Sequence, residues 1–374
     1  MEKLIAQLAD QIRQAGAERR GLTIRGGGSK DFYGRPPIGE RLDTTALRGI
    51  VSYEPTELVV TARAGTPLAE LEATLAERKQ CLAFEPPHYR YTGGGATVGG
   101  MVAAGLSGPS RASVGAVRDF VLGLKLINGR AQHLAFGGQV MKNVAGYDVS
   151  RLMVGSMGVL GVITEVSLKV LPVAPAEATL VFELDQTQAL THLHRWGAQP
   201  LPLNASCWVQ DVDKDLLFVR LRGAAAAVAA AVTRMTRDVS GRQIDNGQAM
   251  PDWQACRDHR LPFFVQPSDA APHLWRLSLP QTAPALDLPW AQLLEWHGAQ
   301  RWLRAPAGAG ASLRELAARH SGSATLFVAS AAAALESESR FGPLAPALGP
   351  IHQRLQAEFD PLGVFDSGRL YAEF

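Results

Sequence analysis

The fold is decided by the stretch Thr92-Gly93-Gly94-Gly95-Ala96-Thr97-Val98-Gly99-Gly100-Met101-Val102-Ala103-Ala104-Gly105-Leu106-Ser107-Gly108-Pro109-Ser110. It has no charged side chain and is crowded with glycine, which tolerates positive φ and lets a backbone come close to a ligand. A second glycine loop, Arg25-Gly26-Gly27-Gly28-Ser29-Lys30, lies upstream and supplies positive charge. Because successive amides in such turns form anion-binding nests, we interpret the loops as two walls of one site for a large, flat, phosphate-bearing cofactor. The alternative is that both are plain flexible loops.

Spacing excludes two common phosphate-binding motifs. The P-loop needs Gly-x-x-x-x-Gly-Lys-Ser/Thr, whereas Gly28 is followed by Ser29 and only then by Lys30. The dinucleotide fingerprint Gly-x-Gly-x-x-Gly also fails, since its third glycine would fall on Asp31 or on Val98. An ordinary ATPase or Rossmann dehydrogenase is therefore not indicated.

The composition is typical of a globular protein with two domains. The chain has 374 residues, of which 47% are hydrophobic and 19% charged, and its formal net charge is +2. This balance gives no global field that would attract nucleic acid. The three cysteines, Cys81, Cys207 and Cys256, are far apart in the sequence. No zinc site or iron–sulfur cluster is therefore indicated, and we expect a reducing compartment.

The N-terminus predicts an amphipathic helix rather than a signal peptide. Apolar residues recur at helical spacing from Lys3 to Ala17 and are interrupted by charge. The longest uninterrupted run of small apolar residues, Ala224 to Val232, is too short to span a bilayer. We therefore expect a cytoplasmic protein that meets the inner face of the membrane only through a partner.

The pattern of strands and helices changes near Pro172. Before it, strands at 50–53 and 58–62 precede a helix from Pro67 to Ala76, which Thr66 is expected to cap. After it, glycines thin out and ordinary strands and helices alternate, which predicts an α+β domain with an antiparallel sheet. The strands predicted there are 180–184, 206–210, 216–222, 274–279, 301–304 and 325–329, and the helices are 186–196, 224–237 and 351–359.

The order of the glycine segments resembles one known superfamily. The segments that carry the resemblance are 25–29, 96–100, 118–123, 142–148 and 155–164. Together they are similar to the FAD-binding domain of the vanillyl-alcohol oxidase/PCMH superfamily over about residues 20–172. The string 142–148 and the ending Asp360-Pro-Leu-Gly-Val-Phe-x-x-Gly-Arg369 look most like the E subunits of bacterial glycolate oxidases.

The resemblance implies an α+β fold in three segments. A PCMH-type two-subdomain FAD-binding domain would span 1–172, a smaller α+β cap domain with an antiparallel sheet 173–330, and a segment returning to the FAD domain 331–374. The first glycine loop would wrap the FAD pyrophosphate and the central turn its phosphates and ribityl chain. The cofactor contacts implied in this way are Arg25, Gly26, Gly27, Gly28, Ser29, Lys30, Ala96, Thr97, Val98, Gly99, Gly100, Ala103, Gly105, Gly115, Gly158, Gly161, Val162 and Ile163.

Two departures from the superfamily pattern bear on function. Relatives that tether flavin carry a histidine where this chain has Ser29, so FAD is expected to be non-covalent. Catalytic hydroxy-acid dehydrogenases carry a histidine-rich His-Gly-x-x-Gly-Asp-Gly-Asn-x-His motif that supplies metal ligands or a general base. Residues 321–330 instead read Ser-Gly-Ser-Ala-Thr-Leu-Phe-Val-Ala-Ser. The catalytic residues stay unassigned, and no metal is expected.

A FAD-binding subunit of a glycolate oxidase complex, which oxidises glycolate to glyoxylate, is the leading hypothesis. The partners that the resemblance implies are a catalytic flavin subunit and an iron–sulfur subunit, and no nucleic acid is expected. Two alternatives stay open. One is a stand-alone FAD-dependent 2-hydroxy-acid dehydrogenase of lactate type, and the other is a non-redox assembly subunit that keeps the flavin fold as a scaffold.

Further residues have two interpretations each. His88 could approach the flavin or lie at the edge of the core, and Arg369 and Lys142 could place charge near the flavin or form salt bridges. His192 and His194 point to different faces of a helix and are expected at the surface. Most of the seven tryptophans are expected in the core, and some on a partner-facing surface together with the C-terminal tail 365–374.

Overall fold

The computed structural model describes residues 1–139, 147–210, 214–266, 271–306, 308–330, 339–365 and 367–371. The chain divides into two compact units. The first, unit 1, comprises Met1–Ser107, Ala116–Pro172 and Pro343–Phe374. The second, unit 2, comprises Gly108–Gly115 and Val173–Gly342. Within the described ranges, no helix is long and apolar enough to cross a membrane.

Short strands and helices alternate over residues 1–172. The helices are α1 (Glu2–Glu18), α2 (Leu68–Glu77), α3 (Val98–Ala104), α4 (Arg111–Val114) and α5 (Val149–Leu152), of which α4 belongs to unit 2. The strands are β1 (Leu22–Arg25), β2 (Glu40–Asp43), β3 (Ile50–Glu54), β4 (Val59–Arg63), β5 (Gln80–Cys81), β6 (Val121–Ile127), β7 (His133–Gly137), β8 (Val162–Lys169) and β9 (Leu171–Pro172).

Unit 1 is built on a five-stranded antiparallel sheet with the order β3-β4-β8-β6-β7. Its central strand β8 is buried on both faces, and Thr61 of β4 bonds Ser167 of β8 through their hydroxyls at 2.8 Å. Strands β1 and β2 form a separate parallel pair. That pair packs with α1 in one apolar cluster, which includes Leu8, Ile12 and Leu22. Burial of such side chains is the main stabilising contribution of this kind of core.

The elements after residue 172 are longer. The helices are α6 (Gln186–Gly197), α7 (Ala225–Asp238), α8 (Asn246–Arg257), α9 (Pro262–Val265), α10 (Gly310–Arg319) and α11 (Leu348–Phe359). The strands are β10 (Ala176–Glu183), β11 (Leu203–Gln210), β12 (Asp215–Gly223), β13 (Gly241–Ile244), β14 (His273–Ser278), β15 (Gln292–Glu295), β16 (Gln300–Ala305) and β17 (Ser323–Val328).

Unit 2 is an eight-stranded antiparallel sheet in the order β13-β10-β12-β11-β15-β16-β14-β17. Helices α6 and α7 cover part of it through Trp196 and Met235, both fully buried, which join one cluster with Leu180 and Phe182. Helix α10 packs against β17 in a second cluster that includes Trp275 and Leu326. The antiparallel α+β architecture predicted from the sequence is confirmed.

Three details differ from the sequence predictions. Unit 2 extends to Gly342 rather than to residue 330, and it takes residues 108–115 out of the middle of the first predicted domain. Thr66 does not cap α2, whose preceding residue is Pro67. The Thr66 hydroxyl instead bonds the backbone of Gly49, because it points toward the connection between β2 and β3.

Candidate cofactor-binding site

The two glycine loops meet backbone to backbone. A Cβ added at Gly27 would overlap the carbonyl oxygen of Gly95, and one added at Gly94 would overlap the carbonyl oxygen of Gly27. The Thr92 hydroxyl donates to the carbonyl of Gly28 at 2.5 Å. The structure therefore brings together the two loops that the sequence pairs, and it leaves no room for side chains where they touch.

The charged residues of the first loop are engaged within unit 1. Arg25 contacts Asp31 with 2.7 Å between Nε and Oδ2, and its guanidinium lies over Gly28. Lys30 is nearly buried and donates to the carbonyl of Pro87 and to the Ser29 hydroxyl, both at 3.3 Å. Ser29, at the position where tethering relatives carry histidine, is also buried. The loop is thus held in one path by its own side chains.

The central turn is fixed at the end of β4. The amides of Val98 and Gly99 donate to the carbonyls of Thr66 and Ala64 at 3.0 and 2.7 Å, and the Thr97 hydroxyl caps α3 by accepting from Gly100. A Cβ on Gly99 would lie 2.7 Å from the Ala64 Cβ. Gly99 is helical and packs closely on Ala64, directly after β4. Its contact with the cofactor remains a prediction.

Ala103 and Gly105 contact the glycine-rich segment 155–164. The Met157 amide donates to the Ala103 carbonyl at 2.9 Å. Gly105 ends α3 with a φ of 64°, and a Cβ there would lie 3.1 Å from the Gly155 Cα. A glycine at this position satisfies both the left-handed cap and the close approach. Segments 98–105 and 155–158 are therefore neighbours in unit 1.

Gly158 and Arg25 line one small cavity. The cavity measures about 40 Å³ and is also lined by Thr23, Ile24, Asp31, Pro37, Met157 and Arg369. Gly161 approaches β6, since a Cβ there would lie 2.8 Å from the Ile127 carbonyl oxygen. Val162 and Ile163 pair with Ile127 and Leu126 in the sheet. Their contact with the adenine end of FAD remains a prediction.

Gly115 lies in the other unit from every other predicted contact. It ends α4 with a φ of 102°, a conformation that favours glycine. Its approach to the flavin also remains a prediction.

The residues of unit 1 fit a flat, phosphate-bearing cofactor. At Gly93, Gly95 and Gly155 no described residue lies within 4 Å of the place that a Cβ would occupy, so backbone is left uncovered beside the packed loop contact. Those three positions, which are not among the contacts that the resemblance implies, allow a ligand to come close to the backbone. Gly27, Gly94 and Gly99 pack against other chain segments. The cofactor contacts of Gly27 and Gly99 remain predictions.

The structure shows the contacts of most of the residues that have two interpretations. His88 is half-buried and lies 2.8 Å from the Glu72 carboxylate. Its approach to the flavin remains a prediction. The Arg369 guanidinium donates to backbone carbonyls of the first loop region. Lys142 lies outside the described residues. His194 bonds the Gln281 carbonyl, and His192 packs on Trp196 at 5.3 Å.

The tryptophans lie in the core more completely than expected. Six are at most 8% exposed, namely Trp196, Trp208, Trp253, Trp275, Trp296 and Trp302, and only Trp290 is half-exposed. Phe365 is also buried, which removes the start of the tail from any partner-facing surface. Trp253 and Trp290 line a cavity of about 1250 Å³ in unit 2. None of the predicted cofactor contacts lines that cavity.

Unit 2 contains two features that the sequence did not reveal. His297 is held at a φ of 57° between Trp296 and Gly298, and burial lowers its pKa to about 4. Cys207 and Cys256, distant in sequence, meet beside Glu295; the hydrogen bond with Cys207, then burial and the Glu295 charge, raise the pKa of Cys256. No local sequence pattern predicts the left-handed backbone at His297. None predicts the contact between Cys207 and Cys256 either, because the two cysteines are distant in the sequence. Among the described residues, no group of three or more potential metal ligands occurs.

The chain matches a known family over its first third. The FAD binding domain family matches residues 3–137. Over 366 residues the chain is 46% identical to the glycolate oxidase subunit GlcE of Escherichia coli strain K12, covering 98% of this chain and 97% of that subunit.

More distant relatives match shorter stretches. The glycolate oxidase subunit GlcD of Bacillus subtilis strain 168 is 38% identical over 23% of this chain and 18% of its own length. A D-lactate dehydrogenase of Anaerostipes hadrus is 29% identical over 48% of this chain and 38% of its own. Among solved structures, alkyldihydroxyacetonephosphate synthase shares the fold with a TM-score of 0.65 at 12% identity, covering 96% of this chain and 74% of its own.

Proposed function

Because the chain belongs to the family of the glycolate oxidase subunit GlcE, we propose that it is the FAD-binding subunit of a glycolate oxidase complex that converts glycolate into glyoxylate. The observation that carries the proposal is the identity to that subunit, which runs along almost the whole of both chains. The loop geometry of unit 1 supports it, since the paired glycine loops are packed where they touch and open at Gly93, Gly95 and Gly155.

The residues of unit 1 have defined tasks in this proposal. FAD, when bound, would supply a redox centre that passes electrons within the complex. The backbone of 25–30 and 92–97 holds the phosphate-bearing part, because oriented amides stabilise anions without a flexible cationic side chain. The side chains of Arg25 and Lys30 set the path of the loop and contribute positive charge near the phosphates. With Ser29 in the tethering position, binding is non-covalent.

Electrons leave through partner subunits in this proposal. Cys81 belongs to unit 1, whereas Cys207 and Cys256 are buried in unit 2. A cluster of iron and sulfur takes several thiolates from one place, and these three are divided between two units. We therefore assign the cluster to an iron–sulfur partner and substrate oxidation to a second, catalytic flavin subunit. The complex would work in the cytoplasm, at the inner face of the membrane.

The absorption spectrum of the purified chain is the first test. A flavin spectrum is expected, and a colourless chain that takes up no FAD would favour the assembly subunit instead. Anaerobic glycolate is then added to the lone chain and to the chain with its partners. Bleaching only in the complex supports the proposal.

The stand-alone dehydrogenase is the second candidate. The similarity to D-lactate dehydrogenases over about half of the chain favours it. It predicts that the lone chain bleaches with lactate or glycolate. The same spectra therefore decide between the two candidates.

A further inference from the structure

The C-terminal segment, described over residues 360–365 and 367–371, is built into unit 1 beside its first strand. The Leu22 amide donates to the Val364 carbonyl at 2.6 Å, and Leu22 pairs with Phe365 in a parallel bridge. Val364 and Phe365 are 1% and 2% exposed and belong to the cluster formed with α1 and β1. The end of the chain is therefore an internal part of the unit that carries the glycine loops.

Asp360 fixes the turn by which the chain enters this position. Its carboxylate accepts from the amides of Val364 at 3.0 Å and Phe365 at 2.7 Å. Gly129 lies directly against it and donates its amide to the Phe359 carbonyl at 2.8 Å. The path toward Arg369 is thus set by bonds at both ends of the short stretch 360–365.

Arg369 then reaches the loop that follows β1. Its guanidinium donates to the carbonyl oxygens of Lys30 at 3.3 Å and Asp31 at 3.1 Å, and also to that of Arg35. The Arg35 amide donates back to the Arg369 carbonyl at 3.0 Å. Arg369 is 8% exposed, so these bonds are shielded from water, where a lost partner is costly. The rigid fork of five donors is what lets one side chain hold three carbonyls.

The same loop is held a second time by the central glycine stretch. Gly27 packs on Gly95, and the Gly28 carbonyl accepts from the Thr92 hydroxyl. Arg369 therefore fixes the second half of the loop, 30–35, while the glycine stretch fixes its first half. Gly34 shows how closely the loop approaches Arg369, since a Cβ there would lie 2.8 Å from the Arg369 carbonyl oxygen.

We propose that Arg369 is a positioning residue for FAD binding, because it holds the carbonyls of Lys30, Asp31 and Arg35 and thereby the path of the loop that receives the FAD phosphates. This inference rests on the proposed function, which places FAD at that loop. Arg369 acts through the loop backbone and not by contact with the cofactor. A lysine carries the charge but has a single nitrogen, so it cannot replace the three hydrogen bonds of the guanidinium.

The test compares FAD affinity with the stability of the cofactor-free chain. Full-length Arg369→Lys and Arg369→Gln are titrated with FAD, and binding is followed by quenching of flavin fluorescence. Arg354→Gln, which removes an exposed arginine of α11, is the matched control. We expect the dissociation constant to rise at least tenfold in both Arg369 variants and to stay unchanged in the control. The melting temperature without FAD should fall much less than the melting temperature with FAD.

A chemical rescue separates positioning from plain stability. Guanidinium ion at low millimolar concentration, added to Arg369→Ala, should restore part of the FAD affinity, because it supplies the missing donors to the three carbonyls. Wild-type affinity in Arg369→Gln would overturn the inference and leave the proposed function intact. An equal loss of melting temperature with and without FAD would also overturn it. Failure of the wild-type chain to bind FAD would instead refute the proposed function.

Discussion

Gly27 lies so close to Gly95 that a single added carbon on Gly27 would occupy the place of the Gly95 carbonyl oxygen. In the part of the chain that the structure describes, no atom lies within 4 Å on the Cβ side of Gly95 itself. The contact is therefore asymmetric: one glycine is required by the fold, and the other is open to a ligand. Because of this asymmetry, a substitution at one glycine can test cofactor binding and a substitution at the other can test packing.

Substitutions at these two glycines should separate the two roles. Gly27→Ala is expected to destabilise the FAD-free chain by about 1–3 kcal/mol, because overpacking forces the backbones apart. Gly95→Ala should leave the melting temperature of the FAD-free chain unchanged and weaken FAD binding about tenfold. Fluorescence titration and thermal melting measure both quantities. Gly197→Ala in unit 2, also without a neighbour, is the control. Unchanged FAD affinity in Gly95→Ala would place the cofactor elsewhere.

FAD should come away from the protein on denaturation. Ser29 has only a hydroxyl at the position where tethered relatives carry a histidine ring, and it is buried against Lys30. Acid precipitation of the FAD-loaded chain should leave all the yellow colour in the supernatant. A yellow pellet would contradict this, and a histidine-tethered flavoprotein treated in parallel shows what such a pellet looks like.

His297 should make unit 2 sensitive to acid. Burial lowers its pKa from 6.5 to about 4, so the unfolded chain takes up a proton at a higher pH than the folded chain. The stability that depends on neutral His297 is complete above pH 6.5 and is lost as the pH falls to about 4. The loss amounts to about 3 kcal/mol, at 1.36 kcal/mol per unit of pKa.

Urea unfolding of unit 2 between pH 7.5 and 4 measures this loss. His297→Gly removes the titrating ring and suits the left-handed backbone, where φ is 57°. Its stability should therefore change less with pH over that range than that of the wild type. A pH dependence equal in both proteins would show that other groups are responsible.

The lone chain should not turn over glycolate. The reaction needs a base for the hydroxyl proton, a hydride acceptor and a way out for electrons. The resemblance sets the histidine motif of catalytic relatives against residues 321–330, where strand β17 reads Ser323-Ala-Thr-Leu-Phe-Val328. Anaerobic mixing with glycolate should leave the flavin band unchanged over minutes, and addition of the partner subunits should bleach it. Rapid bleaching by the lone chain would establish the stand-alone dehydrogenase.

Local patterns predicted most of the regular elements. The helix from Lys3 to Ala17 and the strands at 58–62 and 216–222 lie within a residue or two of their observed bounds, because apolar periodicity reports burial directly. Strand β2 was missed, since Glu40–Asp43 has one buried residue and no alternation of apolar side chains. Glu40–Asp43 forms a strand because it pairs with β1. The two strands are too far apart in the sequence for a local pattern to include both.

The site was predicted as a set of segments but not as a set of contacts. Glycine marks close approach, yet the sequence does not say whether the neighbour is a ligand or another loop. Gly95 and Gly99 look alike in the sequence, and only the packing of Gly99 on Ala64 distinguishes them. Arg369 is a candidate from the sequence because it ends the string 360–369 that carries the resemblance. Its carbonyl partners could not be predicted, because they depend on a fold that brings the C-terminal segment to the loop after β1.

The joining of Phe365 to Leu22 also sets an order of events during synthesis. Strand β1 leaves the ribosome about 340 residues before Phe365, its neighbour in the C-terminal segment. At roughly 5–20 residues per second, β1 and its loop wait roughly 20–70 s for that neighbour. Through this interval the loop lacks the three bonds from Arg369. We therefore expect cofactor loading only after residue 369 has been made, so that a nascent chain stalled before residue 360 would stay colourless in the presence of FAD.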